Sequence, residues 1–223
     1  MSSSKEKGDA SRSDGVVSKA VVSRLSLYLR ELQHWQRSGK DTISSTQLGR
    51  VLGFTDAQVR KDLANFGQFG YPGVGYRCHE LIGEIRRILG TDREWPVCLV
   101  GCGHLGKALL GYKGFEQQGF RVTAAFDNDV KKVGTVIDGI EIYDFGRLEE
   151  ICAEADIRMA IMAVPAHEAQ AVADRLIAAG VGGILNFAPV TLNVPRQVSC
   201  VGVDLAIELE QLAFAVVKRD EKT

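Results

Sequence analysis

The chain has no CxxC pair, no long apolar run, no excess of one charge sign, and only five prolines among 223 residues. Each shortage excludes something. Crossing a bilayer as a helix takes an apolar stretch of about 20 residues, and none is present. The opening MSSSKEKGDASRSDG has no apolar core of the kind a secretory signal needs, so none is expected there. Cys78, Cys98, Cys102, Cys152 and Cys200 are odd in number and scattered, unlike the spaced sets of disulfide frameworks and zinc ribbons. Small buried residues in a reducing compartment are the simpler reading, and a cytoplasmic location is expected. Lys and Arg (27) nearly balance Asp and Glu (28), giving a formal charge of -1 with no sign of the basic surface that nucleic acid requires. What is present is ordinary globular material: 45% hydrophobic and 25% charged residues, which excludes a wholly disordered chain.

Patterning divides the chain. Residues 1–17 are almost free of apolar side chains and are expected to form a disordered tail. Residues 18–90 read as a helical domain. Val21, Val22, Leu25, Leu29, Leu32 and Trp35 recur at helical steps across Ser18–Ser38, and Gly39 is a natural stop. Two short helices follow on either side of Gly53. Ser44 with Gln47, and Thr55 with Gln58, both fit the capping box. The glycine-rich stretch Gly67–Tyr76 reads as a hairpin, and Leu81, Ile82, Ile85 and Leu89 mark another helix.

Beyond residue 90, short apolar runs (97–100, 122–126, 157–164, 183–187 and 198–203) alternate with helical patterns at 105–115, 148–155 and 167–179. That alternation predicts a parallel sheet over residues 91–203 with helices on both faces. A final helix from Asp204 to Lys218, in a last segment 204–223, is apolar around much of its circumference and needs a partner surface.

Gly101-Cys102-Gly103-His104-Leu105-Gly106 directly follows a predicted strand and opens a predicted helix, the context that raises GxGxxG above chance. The first glycine makes the tight turn, the second admits a pyrophosphate, and the third lets helix and strand pack. Asp127 ends the next strand, twenty-one residues past Gly106, where a carboxylate takes ribose hydroxyls and repels a 2′-phosphate. NAD(H) is therefore expected over NADP(H), although Lys131 and Lys132 lie close by. The strand ends at Val164-Pro165 and Ala188, where a nicotinamide would lie, are apolar and proline-stiffened, and no histidine sits in an acid–base constellation. That suits sensing of a redox state better than hydride transfer by an NAD-dependent oxidoreductase, the alternative function. A coenzyme A or nucleotide module is a third reading.

Charge becomes informative when counted by halves. Residues 1–90 carry fourteen basic against nine acidic side chains, and residues 91–223 carry thirteen against nineteen. The basic half holds the helix-turn-helix layout. On its second helix Val59, Leu63 and Phe66 share one face, while Lys61 and Asn65 lie opposite, flanked by Gln58 and Arg60. Those are side chains able to fork onto base edges. The hairpin, with Gly73, Val74, Gly75 and Tyr76, is placed like a wing.

Gln58-Val-Arg-Lys-Asp-Leu63, Phe66-Gly67, Gly73-Val-Gly-Tyr76, the glycine turn, Phe126-Asp127, Val164-Pro165-Ala166, Gly183–Val190 and Val203-Asp204-Leu205 together resemble the Rex family of redox-sensing repressors. The resemblance runs collinearly over about residues 18–218. It implies a homodimer of winged-helix and Rossmann domains whose C-terminal helix is exchanged between subunits. Such a dimer would bind double-stranded inverted-repeat operators while NAD+ prevails and leave them when NADH accumulates. It further implies that Arg60 and Lys61 read the major groove, that the Gly73–Tyr76 wing reaches the minor groove, and that Arg30 pairs with the partner's Asp204. Leu205 and Phe126 depart from the Phe and Tyr that some members carry at those positions.

Overall fold

The computed structural model describes residues 17–220, so the expected tail lies, but for Val17, outside the described residues. The chain divides after Asp92 into two compact units.

In the first unit, helix α1 (Lys19–Arg37) starts at Ser18, whose hydroxyl accepts from the Val21 amide. Its apolar stripe (Leu25, Tyr28, Leu29 and Leu32) is buried against α4 (Cys78–Leu89) through Leu81, Ile82 and Ile85. Each fully buried side chain of this size contributes about 1.5–3 kcal/mol. Between these two helices lie β1 (Thr42–Ile43), α2 (Ser45–Leu52), α3 (Asp56–Ala64), β2 (Gly70–Tyr71) and β3 (Gly75–Arg77). The α2 start is the expected capping box: Ser44 accepts from the Gln47 amide N–H at 3.1 Å, and the Gln47 side chain accepts from the Ser44 N–H at 2.8 Å. Gly53, at φ 75°, ends α2 in the left-handed region.

The second box is only half made. Thr55 accepts from the Gln58 N–H, but the Gln58 amide donates instead to the Asp62 carboxylate at 2.7 Å. An ionised carboxylate is the stronger acceptor and draws the amide one turn along the helix. The expected hairpin forms between β2 and β3, and β1 adds a third strand beside β3 that is too short for any pattern to reveal.

The second unit contains β4 (Trp95–Val100), α5 (His104–Leu110), α6 (Gly114–Gln117), β5 (Phe120–Asp127), β6 (Val136–Ile137), β7 (Ile140–Asp144), α7 (Leu148–Glu154), β8 (Met159–Met162), α8 (Ala169–Ala178), β9 (Gly183–Asn186), β10 (Ser199–Gly202) and α9 (Leu205–Asp220). The sheet order is β10-β9-β8-β4-β5-β7-β6. Its first six strands are parallel, and β6 is an antiparallel edge. Counting the parallel strands along the chain, this is the 3-2-1-4-5-6 arrangement of dinucleotide-binding sheets, with the order reversing between β4 and β8. One sheet face buries α7 and α8, and the other packs Leu110 of α5 and Phe115 of α6.

Two features differ from the sequence expectation. The helix expected over 105–115 is broken: α5 ends at Gly111, and Tyr112 packs edge-on against Phe115 before α6 begins. The β6–β7 hairpin adds an antiparallel edge to the expected parallel sheet. Its turn is Asp138-Gly139, both at positive φ (51° and 82°), as a two-residue hairpin loop requires. The last helix follows the expected pattern, yet Leu205, Ile207, Leu209, Leu212, Phe214, Val216 and Val217 are all exposed on this chain.

Candidate functional site

Strand β4 delivers the chain into the glycine turn at the point where strand order reverses. The three glycines are fixed by three different surroundings. Gly101 sits at φ 95°, and a Cβ there would lie 2.5 Å from the Ala163 carbonyl oxygen. A Cβ on Gly106 would strike the Gly101 carbonyl and lie 3.3 Å from Leu99, so this residue is where helix and strand close on each other. At Gly103 a Cβ would meet nothing within 4 Å, because it faces a cleft of about 670 Å³.

Gly101, Gly103, His104, Leu105, Asp127, Val164 and Pro165 line that cleft. Two other expected cofactor residues support it from behind. Cys102 is fully buried, and its N–H donates to Asp127, while Gly106 is packed beneath the turn. Ala188 is buried as well and borders a separate cavity of about 660 Å³, shared with Asp204 and Ile207. Residues the sequence did not single out complete the cleft: Asn128, Phe145, Ala171, Val172 and Arg175, with Lys132 reaching in from the loop after β5. Arg175 lies over the Phe145 ring and forks onto Glu149 at 2.9 and 2.6 Å. An aromatic face covered by a fixed cation makes a flat wall.

Asp127 is 6% exposed and accepts three hydrogen bonds: from the Cys102 N–H (2.8 Å), the Asp129 N–H (2.9 Å) and Lys132 Nζ (2.8 Å). Burial works against its charge, and the Lys132 ammonium and the two backbone donors outweigh burial, holding the carboxyl below the usual carboxylate range. The residues fit a dinucleotide. Gly103 opens the space a pyrophosphate needs, and Asp127 stands ionised at the end of β5. They do not form an acid–base pair, since His167 is 79% exposed and approaches Glu168 no closer than 3.7 Å.

In the first unit the second helix of the pair, α3, is held by a buried carboxylate. Asp62, 1% exposed, accepts from Arg24 Nε (2.6 Å) and Nη2 (2.8 Å), Tyr28 Oη (2.8 Å) and Gln58 Nε2 (2.7 Å). Burial again opposes the charge, and these donors keep the carboxyl below its ordinary range, while burial and the nearby carboxylate push the Tyr28 hydroxyl up. Val59 and Leu63 are buried beside it. The opposite face is open: Ala57, Arg60, Lys61, Ala64 and Asn65 are exposed. Arg60 is held in place by Asp56 at 2.7 Å and Ser45 at 3.1 Å, and Gln58 is turned inward to Asp62.

In the wing, Val74 is exposed between Gly73 and Gly75. A Cβ on Gly75 would lie 2.6 Å from the Ile43 carbonyl oxygen, so glycine is what lets the wing close on β1. Tyr76 is 7% exposed, with its ring in the core, so at that position the wing presents backbone. Arg30 is exposed on α1, Phe126 is fully buried with its ring 6.1 Å from Tyr143, and Leu205 is exposed. Asp204 caps α9, its Oδ1 accepting from Ala206 N at 2.9 Å.

Comparison with known proteins covers both units. Residues 16–64 match a family described as "Putative DNA-binding protein N-terminus", and residues 92–190 match one described as "CoA binding domain". The redox-sensing transcriptional repressor Rex of Desulfitobacterium hafniense is 49% identical over 91% of this chain and 97% of its own length. That of Carboxydothermus hydrogenoformans is 47% identical, covering 92% and 98%. The crystal structure of RSP in complex with beta-NAD+ and operator DNA superposes with a TM-score of 0.87 at 35% identity, covering 93% of this chain and 95% of that one. RSP in complex with beta-NADH gives a TM-score of 0.84 at 34% identity, covering 93% and 97%. Likeness at this level spans the helical unit and the parallel sheet together, and the chain belongs to the Rex family of redox-sensing transcriptional repressors.

Proposed function

We propose that the protein represses transcription by binding inverted-repeat operator DNA while NAD+ prevails and releasing it as NADH accumulates. The observation that carries this reading is one chain with both an open basic helix face on α3 and a dinucleotide cleft at the sheet's reversal point, in a family whose relative RSP has been solved with beta-NAD+ and operator DNA. Arg60 and Lys61 are the base readers, with Asn65 at the edge of the same face and the Gly73–Tyr76 wing following the backbone, whereas Gln58, expected among the readers, is spent on Asp62. Gly101, Gly103 and Gly106 shape the pyrophosphate seat. Asp127 takes the adenosine ribose, Val164 and Pro165 face the nicotinamide end, and Cys102, His104 and Leu105 complete the surroundings. When bound, the dinucleotide supplies a redox-dependent ring, and no bond is made or broken in sensing it.

The functional divisions follow as 18–90 for DNA binding, 91–203 for NAD(H) and 204–223 for dimer exchange, in a cytoplasmic protein. A helix with seven exposed large apolar residues is costly in water. Burying α9 in a second copy removes that cost and brings Asp204 to the partner's Arg30. With Phe126 in place of a tyrosine no hydroxyl is available there, so the switch rests on the Arg30–Asp204 pair and on packing at Leu205. The test is fluorescence anisotropy of a labelled inverted-repeat duplex titrated with protein. Added NADH is expected to weaken binding, and excess NAD+ to restore it. Operator binding indifferent to saturating NADH contradicts the reading.

A further inference from the structure

The acidic residue at the end of β5 does not stand alone. The loop after it is a tight turn organised by Asp129: its Oδ1 accepts from the Lys131 N–H, and its carbonyl accepts from Lys132 N at 2.8 Å and Val133 N at 3.2 Å. Gly134, at φ 79°, then hands the chain back to β7 through a bond from its N–H to the Ile142 carbonyl. This turn folds the Lys132 side chain back along the strand end, where Nζ reaches Asp127 Oδ2 at 2.8 Å and lies 3.9 Å from Asp129 Oδ2. Lys132 is 29% exposed and lines the cleft, whereas Lys131 is exposed and does not.

The consequence is chemical. A carboxylate offers about four lone-pair sites, and three of those on Asp127 are taken. A bare carboxylate at the adenosine ribose discriminates by accepting the 2′-hydroxyl and repelling a 2′-phosphate, whereas a cation there accommodates the phosphate. This cleft holds both groups in contact. Toward the ligand they present one remaining acceptor site beside an ammonium with unspent donors, so the repulsion that Asp127 would exert alone is largely cancelled.

We propose that Lys132 is the specificity-determining residue of the cleft, tempering the preference for NAD(H) over NADP(H) by holding its ammonium where the adenosine 2′ position lies. The inference rests on the cofactor reading above. Calorimetry of the full-length protein with NADH and with NADPH, separately, tests it on the wild type, Lys132→Met, Lys132→Gln and Lys132→Arg. The wild type is expected to bind NADH with a modest margin over NADPH. Both neutral variants are expected to lose about tenfold or more in NADPH affinity, the scale of one charge-assisted hydrogen bond, and far less for NADH. Lys132→Arg, which keeps the charge, is expected to keep the wild-type ratio. Two neutral variants guard against one of them failing to fold. If they bind both cofactors with the wild-type ratio, the role of Lys132 is overturned and the cofactor reading stands. If the wild type binds neither cofactor, the cofactor reading fails and the inference fails with it.

Discussion

Asp62 and Asp127 are the same side chain in nearly the same predicament, one in each unit. Both are almost wholly buried, both are paired with a cation, and both carboxyls are held below their ordinary range against the pull of burial. They differ in closure. Asp62 accepts four hydrogen bonds, two of them from the fork of Arg24, and is enclosed by α1 and α3. Asp127 accepts three and borders a cleft. A saturated buried carboxylate fixes one element against another; an incompletely saturated one at a cavity wall still has something to offer a ligand. The first sets how the basic helix is presented, and the second stands in the wall of the cleft proposed for the dinucleotide.

The sharpest way to break the comparison is to remove the saturated member. Asp62→Ala leaves Arg24 without its acid and Tyr28 and Gln58 without their acceptor. Breaking a buried pair costs about 3–5 kcal/mol, and the part-exposure of Arg24 places this case near the lower end. Denaturant melts read it directly. Its pH dependence has a definite sign. The folded-state carboxyl lies below the unfolded value of about 3.9, so its stabilisation is complete above that value and is lost as pH falls through the folded one. Wild-type stability should therefore drop on acidification more steeply than that of Asp62→Ala. Equal slopes would show that Asp62 is not the group concerned.

The glycines sharpen the contrast between holding and binding. Gly106→Ala drives a methyl into the Gly101 carbonyl and is expected to cost about 1–3 kcal/mol of stability as well as cofactor affinity. Gly103→Ala meets no protein atom, so its melting temperature should stay at the wild-type value while NADH affinity falls. Loss of stability in both would remove the distinction. Arg60, exposed on α3, is expected to act on DNA binding alone. Arg60→Ala should weaken operator binding by about 1–3 kcal/mol without changing NADH affinity, as measured by anisotropy and calorimetry in parallel.

Much of this was legible in the chain. The glycine turn carried its roles in its spacing, because each glycine answers to a separate steric demand. The Ser44–Gln47 box could be read from four residues. The β6–β7 hairpin has a sign too, Asp138-Gly139 between apolar residues, but its first strand is too short to stand out beside the longer runs. Asp62 gave a quieter sign: the helical wheel places it next to Val59 and Leu63, and a charge on an apolar face asks for a buried partner. That the partner is Arg24, thirty-eight residues earlier, follows only from tertiary packing. Lys132 reads in the sequence only as nearby charge, because its reach to Asp127 depends on the turn at Asp129. Strand position alone points Ala188 to the nicotinamide end, whereas the fold puts it at a second cavity.

The central claim is that the basic helix face and the dinucleotide cleft are two sites of one switch. Coupling of that kind is reciprocal: if NADH weakens operator binding by some factor, operator must weaken NADH binding by the same factor. The deciding measurement is the NADH dissociation constant of the full-length protein with and without saturating inverted-repeat duplex. The account predicts weaker NADH binding in the presence of duplex, by the factor seen in the DNA titration, and no such change with a scrambled duplex. An NADH affinity unmoved by bound operator would contradict it.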